Sequence, residues 1–209
     1  MKWLGLIPAR AGSRRLPKKN MAMVGGLPLV GHAIEHSIKS GVMADTFVSS
    51  DDPEVLRFAV ENGAMALVRP DHLSGPEVPM IDVVRYMALV YADQAYDAVM
   101  LLQPTSPLRT AKDVEAAASM LEATGADSVI SVCRAPGEYA LKFGHAGRLR
   151  IDSSIVVPNG AIYAISTDAL ARGEDWYTGI CYGYEMPRER SIDIDTIVEL
   201  EQARAQHGV

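Results

Sequence analysis

Trp3-Leu4-Gly5-Leu6-Ile7-Pro8 is an apolar run that reads as a strand, and Leu29, Val30, Ala33, Ile34, Ser37 and Ile38 then recur at helical spacing up to Gly41, a C-cap residue. Strand, loop and helix thus open the chain, and the same alternation continues outward. Residues 46–50 read as a second strand. Asp52-Pro53 supplies a capping carboxylate and an N1 proline for a helix ending near Asn62-Gly63. Met65–Val68 is a third strand, 81–91 a helix, and Ala98–Leu102 a buried central strand. Thr110 and Asp113 form a capping box for a helix that ends near Gly125, and 128–132 is a further strand. Strands at 160–165 and 181–186 precede a last helix capped by Thr196 and Glu199. Between 134 and 158 the periodicity is weak and suggests a loop with a short hairpin. Alternation of this kind predicts an α/β fold: a single-domain, three-layer, Rossmann-like arrangement over 1–209, with a mostly parallel sheet between helices.

Composition narrows the function. The 209 residues are 48% hydrophobic and 22% charged, which excludes a disordered chain. No apolar stretch approaches the roughly 20 residues of a membrane helix, so a soluble, cytoplasmic protein is expected. Cys133 and Cys181 are too few for a disulfide framework or a zinc cluster and read as buried thiols. A net charge of −6 argues against nucleic acid or acidic lipid as a partner.

Against that acidic background one segment stands out. Ile7-Pro8-Ala9-Arg10-Ala11-Gly12-Ser13-Arg14-Arg15-Leu16-Pro17-Lys18-Lys19-Asn20 carries five cations and no acid, directly after the first strand. Open α/β sheets bind ligands at the carboxyl ends of their strands. Gly12 and Ser13 permit a tight turn with exposed amides, while Arg10, Arg14, Arg15, Lys18 and Lys19 can face the oxygens of a polyphosphate. A nucleoside triphosphate is the expected ligand, and a solvated basic loop the plain alternative. There is no G-x-x-x-x-G-K-[ST] and no G-x-G-x-x-G, which disfavours P-loop kinases and dinucleotide enzymes. Asp193 and Asp195, two positions apart, present both carboxylates on one side of an extended segment while Ile192 and Ile194 face the core. Mg²⁺ suits such a pair. An edge strand with Asp195 placed by the helix dipole is the alternative. His32 and His36, at i,i+4 spacing, lack the H-E-x-x-H context of a zinc site. No G-x-S-x-G elbow supports a hydrolase triad.

The pattern I-P-A-R-x-G-S-x-R-x-P-x-K-N resembles the opening signature of the acylneuraminate cytidylyltransferases, which make CMP-sialic acids. Three later blocks resemble the same family in order: Leu101-Leu102-Gln103-Pro104-Thr105-Ser106-Pro107-Leu108-Arg109, Pro158-Asn159-Gly160-Ala161-Ile162-Tyr163, and Ser191-Ile192-Asp193-Ile194-Asp195-Thr196. The resemblance implies attack by a sugar hydroxyl on the α-phosphorus of CTP, with release of pyrophosphate and CMP left on a nonulosonic sugar. It assigns Ala9, Arg10, Gly12, Ser13, Arg15, Lys19, Asn20 and Arg69 to the nucleotide, and Asp193 and Asp195 to Mg²⁺. Arg10, Lys19, Asp193 and Asp195 are thereby the catalytic set. Gln103, Asn159, Tyr163, Trp176 and Tyr177 fall beside the acceptor sugar, and Thr105 joins them on residue type, as a group that gives and accepts hydrogen bonds. On residue type alone Ser106 is a further hydrogen-bonding group, whereas Arg69 and Arg109 read equally as solvated arginines after a strand and a proline-fixed turn.

A homodimer is also implied. The segment at about 134–158 is, however, shorter than the family's dimerising insertion. Val157 stands where the family carries arginine, and 73–80 lacks the family's polar pattern near the base. Another sugar, a sugar phosphate or another nucleotide such as GTP therefore remains open, as does a non-catalytic nucleotide-binding regulatory module.

Overall fold

A computed structural model describes residues 1–13, 15–136, 141–143, 149–152 and 154–207; Arg14 lies outside them. In chain order its strands and helices are β1 (Trp3–Pro8), β2 (Met23–Val24), β3 (Leu27–Pro28), α1 (Leu29–Lys39), β4 (Met43–Ser50), α2 (Pro53–Glu61), β5 (Met65–Val68), α3 (Met80–Val90), β6 (Ala98–Leu102), α4 (Ala111–Thr124), β7 (Ser128–Arg134), β8 (Leu141–Phe143), β9 (Leu149–Ile151), β10 (Val156–Ser166), α5 (Thr167–Ala171), β11 (Cys181–Glu185) and α6 (Ile197–His207).

Seven strands form one sheet in the order β11-β7-β10-β6-β1-β4-β5. All neighbours are parallel except β10, which runs against both β6 and β7. Side chains alternate along each strand and so divide between two cores. Trp3 and Ile7 of β1, with Ala98, Met100 and Leu102 of β6, pack under α1, α2 and α4. Leu4 and Leu6, with Val99 and Leu101, pack under α3 and α5. This is the expected three-layer α/β architecture. A small third core joins Val24 and Leu29 to Ile194, Leu200 and Ala203, and so fastens α6 to the β2–β3 hairpin.

Local chemistry sets the boundaries. The Asp52 side chain accepts from the Glu54 amide at the start of α2, and Thr110 and Asp113 close a reciprocal box at α4. Three strands run longer than their patterns suggest: β4 begins at Met43, β7 continues to Arg134, and β10 begins at Val156. Pro158 is accommodated within β10 because its pairing with β7 shifts register between Pro158 and Tyr163. The weakly patterned region contains an antiparallel β8–β9 pair, as a hairpin reading requires. Cys133 is buried, but Cys181 is only half-buried, because β11 is an edge strand. Among the described residues no helix is long and apolar enough to cross a membrane.

Topology then positions a cleft. From β1 the chain proceeds outward to β4 and β5, then returns to place β6 on the other side of β1. The carboxyl ends of β1 and β6 flank this reversal, where open α/β sheets leave a crevice.

Candidate active site

A cavity of about 280 Å³ occupies that crevice, with Arg10, Ser13, Lys19, Asn20 and Arg69 on one side and Gln103 and Thr105 on the other. Val78 and Met80 give it an apolar wall. A second hollow of about 190 Å³ shares Arg10, Ser13 and Lys19 with it and continues to Arg15 and Asp195. A larger cavity of about 500 Å³, lined by residues such as Leu4, Leu89, Tyr96 and Val99, lies toward the amino ends of β1 and β6. It contains none of the motif residues, so size is a poor guide to the chemistry here.

The basic loop is pinned by its own backbone. The Ala9 amide donates to the Ser49 carbonyl (2.9 Å), and the Ser50 hydroxyl donates to the Ala9 carbonyl (2.6 Å). With both polar groups engaged and its methyl buried, Ala9 shapes the loop and has no free group for a nucleotide. The Ala11 amide donates to Asp51 Oδ1 (2.7 Å), and buried Asn20 donates through Nδ2 to the Arg10 carbonyl (2.9 Å). Gly12 is exposed and Ser13 half-buried beside the cavity. Asp51 is therefore a site-building residue that the sequence motifs did not single out. Its signal was an acid immediately after β4, at the same sheet edge.

The acidic segment meets this loop. Lys19 Nζ donates to Asp195 Oδ1 at 3.0 Å, and an Arg15 terminal nitrogen lies 2.8 Å from Asp195 Oδ2. Ile194 is fully buried between the two aspartates, and its amide donates to the Thr105 carbonyl (2.8 Å). The segment is thus held as an extended connection rather than as an edge strand. The Thr105 hydroxyl donates to Gln103 Oε1 (3.4 Å). Crowding by surrounding protein, with Asp195's charge adding to it, lifts the Asp193 carboxyl above its ordinary range, with the nearby Thr105 hydroxyl opposing the shift. Asp193 is nonetheless exposed to solvent, so that crowding is partial.

The expected sugar-side residues divide. Gln103 faces the cavity. At Gly160, φ is +78°, and an added Cβ would stand 3.2 Å from Asp193 Oδ2 and 3.6 Å from Gln103 Oε1. The β10 bulge, the turn after β6 and the acidic segment therefore meet at that glycine. Tyr163 packs on Trp176 with ring centroids 5.2 Å apart, and burial followed by nearby Tyr177 pushes its phenol up to about 12. Tyr177 is exposed, but Trp176 is only 8% exposed and backs Tyr163 from within the core. It is not placed as a sugar wall. Asn159 is likewise occupied: Oδ1 accepts from the Ser131 hydroxyl (2.6 Å) and Nδ2 donates to the Ser191 hydroxyl (2.8 Å). It ties β10 to the acidic segment instead of presenting its amide. Ser106 is completely buried and lines neither of the two joined hollows.

Neither arginine read as solvated is so. Arg69 donates through Nε to Ser49 Oγ (3.1 Å) and through a terminal nitrogen to the Ser49 carbonyl (2.9 Å), and burial lowers its guanidinium to about 10. Arg109 is 1% exposed.

The donor set fits Mg²⁺. Among the described residues no group of three His, Cys, Asp or Glu side chains gathers for a metal. Two carboxylates completed by substrate phosphates and water are, however, what Mg²⁺ usually takes.

A cationic loop facing a carboxylate pair across the switch point of an α/β sheet defines a nucleotidyltransferase-like protein. The solved structure of CMP:2-keto-3-deoxy-manno-octonic acid synthetase complexed with CTP shares this fold, with a TM-score of 0.75 over 100% of this chain and 99% of that one at 20% identity. A family model described as Cytidylyltransferase matches residues 4–169, and the chain belongs to the cytidylyltransferase family. It is 32% identical to the N-acylneuraminate cytidylyltransferase of Streptococcus agalactiae over 94% of this chain and 51% of that protein. It is 29% identical to the CMP-N,N'-diacetyllegionaminic acid synthase of Legionella pneumophila over 95% of this chain and 93% of that protein. The chain thus spans about half the length of the streptococcal relative and nearly all of the Legionella one.

Proposed function

We propose that the protein transfers CMP from CTP to the hydroxyl of a nonulosonic, sialic-acid-like sugar and releases pyrophosphate. The observation that carries this reading is the convergence of Arg10, Arg15 and Lys19 with Asp195 on one pair of joined hollows, with Asp193 two positions away beside Gly160. The basic loop binds and neutralises the triphosphate, which removes the repulsion between an anionic nucleotide and an anionic acceptor. Gln103, Tyr163 and Tyr177 orient the sugar. The acceptor oxygen gives up its hydroxyl proton to solvent and bonds to the α-phosphorus as the bond to the bridging oxygen of the β-phosphate breaks, and pyrophosphate departs with that electron pair. Asp193 and Asp195 would hold Mg²⁺, whose charge would stabilise the phosphate oxygens. The names of the relatives support a nonulosonic acceptor. We take the working form to be a homodimer in the cytoplasm.

The test is pyrophosphate release measured across the four nucleoside triphosphates with a panel of nonulosonic acids and sugar phosphates. Turnover with CTP and a nonulosonic acid, abolished by Asp193→Asn and by Arg10→Ala in folded protein, is expected. Preference for GTP or for a sugar phosphate would overturn the substrate assignment, and absence of turnover with every pair would favour a regulatory module.

A further inference from the structure

Arg109 contributes a guanidinium that reaches no solvent and lines no hollow of the cleft, yet it touches the turn that lines the cavity and the β10 bulge beside it. One terminal nitrogen donates to the carbonyl of Gln103 (3.2 Å) and to that of Ala161 (2.6 Å). Gln103 belongs to the turn after β6 and faces the cavity. Ala161 belongs to the β10 bulge and follows Gly160, the residue wedged between Asp193 and Gln103. A single nitrogen therefore bridges the two backbone segments one residue beyond the last pair of their antiparallel ladder, Ile162 with Leu102, where main-chain pairing stops. Asn159 fastens the same bulge to Ser191 at the start of the acidic segment.

Stability alone is a poor account of this residue. Among the described residues Nε and the other terminal nitrogen have no hydrogen-bond partner, although both are buried. Burying donors unpaired is costly, and an apolar side chain of similar size would fill the space without that cost. Burial lowers the guanidinium to about 10, so it remains a cation at neutral pH, and Asp113 provides the nearby compensating charge.

We propose that Arg109 is a positioning residue for the transfer reaction, setting the turn at Gln103 and the bulge at Gly160–Ala161 in the relative placement that aligns acceptor and nucleotide. It touches neither substrate. The inference rests on the proposed cytidylyl transfer, but its structural half stands apart from it.

Arg109→Met, Arg109→Lys and the control Leu121→Ala test the proposal. Leu121 is a buried α4 residue in the core under the opposite end of the helix, and its truncation destabilises without touching the cleft. Arg109→Met is expected to lower kcat about 100-fold, the scale of a misalignment near 1 Å, while KM for CTP stays within about threefold. Leu121→Ala, assayed well below its melting temperature, is expected to keep kcat within about twofold. Arg109→Lys also places one multiply donating nitrogen near both carbonyls and is expected to recover part of the loss. Hydrogen exchange gives the readout independent of activity: segments 101–106 and 158–163 should lose protection selectively in Arg109→Met, relative to β1. If Arg109→Met does not fold, Arg109→Lys carries both measurements, with a kcat loss and selective loss of protection expected. Retained kcat in the folded variant, a loss matched by Leu121→Ala, or unchanged exchange in both segments would overturn the proposal. Absence of turnover in the wild-type protein would instead sink the proposed reaction, and exchange alone would then decide the role of Arg109.

Discussion

At Asp195 two cations from the basic loop converge on one carboxylate, and both of them are also groups a triphosphate would attract. The Asp195 side chain is 40% exposed and that of Arg15 68%, so the pairs add little to folding, at most about 1 kcal/mol. Their use is electrostatic and local. Lys19→Met is expected to leave the urea midpoint almost unchanged while weakening CTP binding at least tenfold by calorimetry. Gly160 behaves oppositely. Its φ of +78° and the 3.2 Å approach to Asp193 make Gly160→Ala strained in backbone and crowded in the cleft. That variant is expected to lose about 1–3 kcal/mol in urea unfolding and most of its pyrophosphate release. Contiguous motifs made Arg15, Lys19 and Asp195 legible as site residues before any coordinates, whereas Gly160 stood inside one such motif without being singled out. Burial was not legible: Arg69, Arg109, Asn159 and Trp176 carry the composition of surface or ligand-facing groups, and only the approach of distant strands turns them inward.

Among the elements, α1 carries a titratable group against the base of the site. His36 has its Nδ1 buried without a partner among the described residues. Burial first, and the Arg109 charge next, hold its ring far below the ordinary value of 6.5, to about 2. The unfolded chain therefore takes up a proton near pH 6.5 that the folded chain refuses. The contribution is fully favourable above pH 6.5 and is lost as pH falls toward 2. His36→Gln should flatten the decline in melting temperature between pH 7 and pH 4, and an unchanged slope would refute this assignment. Element boundaries were legible wherever a cap or proline stated them, as at Asp52-Pro53 and Thr110. The β2–β3 hairpin escaped the pattern because its strands are too short to alternate. Gly25-Gly26 was its signal, both glycines adopting the positive φ that a two-residue hairpin turn demands.

Across the whole molecule, two large cores flank the sheet and a third, small core holds the acidic segment in place. Leu200 and Ala203 of α6 pack there with Ile194, Val24 and Leu29. Leu200→Ala is therefore expected to cost about 2–3 kcal/mol and to reduce nucleotide affinity, although Leu200 lies on the helix rather than in the cleft. Urea unfolding paired with CTP titration checks both effects. A variant that is destabilised yet binds CTP normally would show that α6 does not govern the site. The α/β class was legible at this scale because strand and helix periods alternate throughout the chain, whereas the antiparallel course of β10 was not, since an isolated apolar run carries no direction.

Lys19 and Asp195 stand 176 positions apart yet share an ion pair. During synthesis the ribosome releases the phosphate-gripping loop long before its acidic counterpart. A nascent chain arrested short of Ile194 should therefore fail to retain CTP, however well its first strands have paired. If the proposed transfer holds, the site would be assembled only once this late segment emerges.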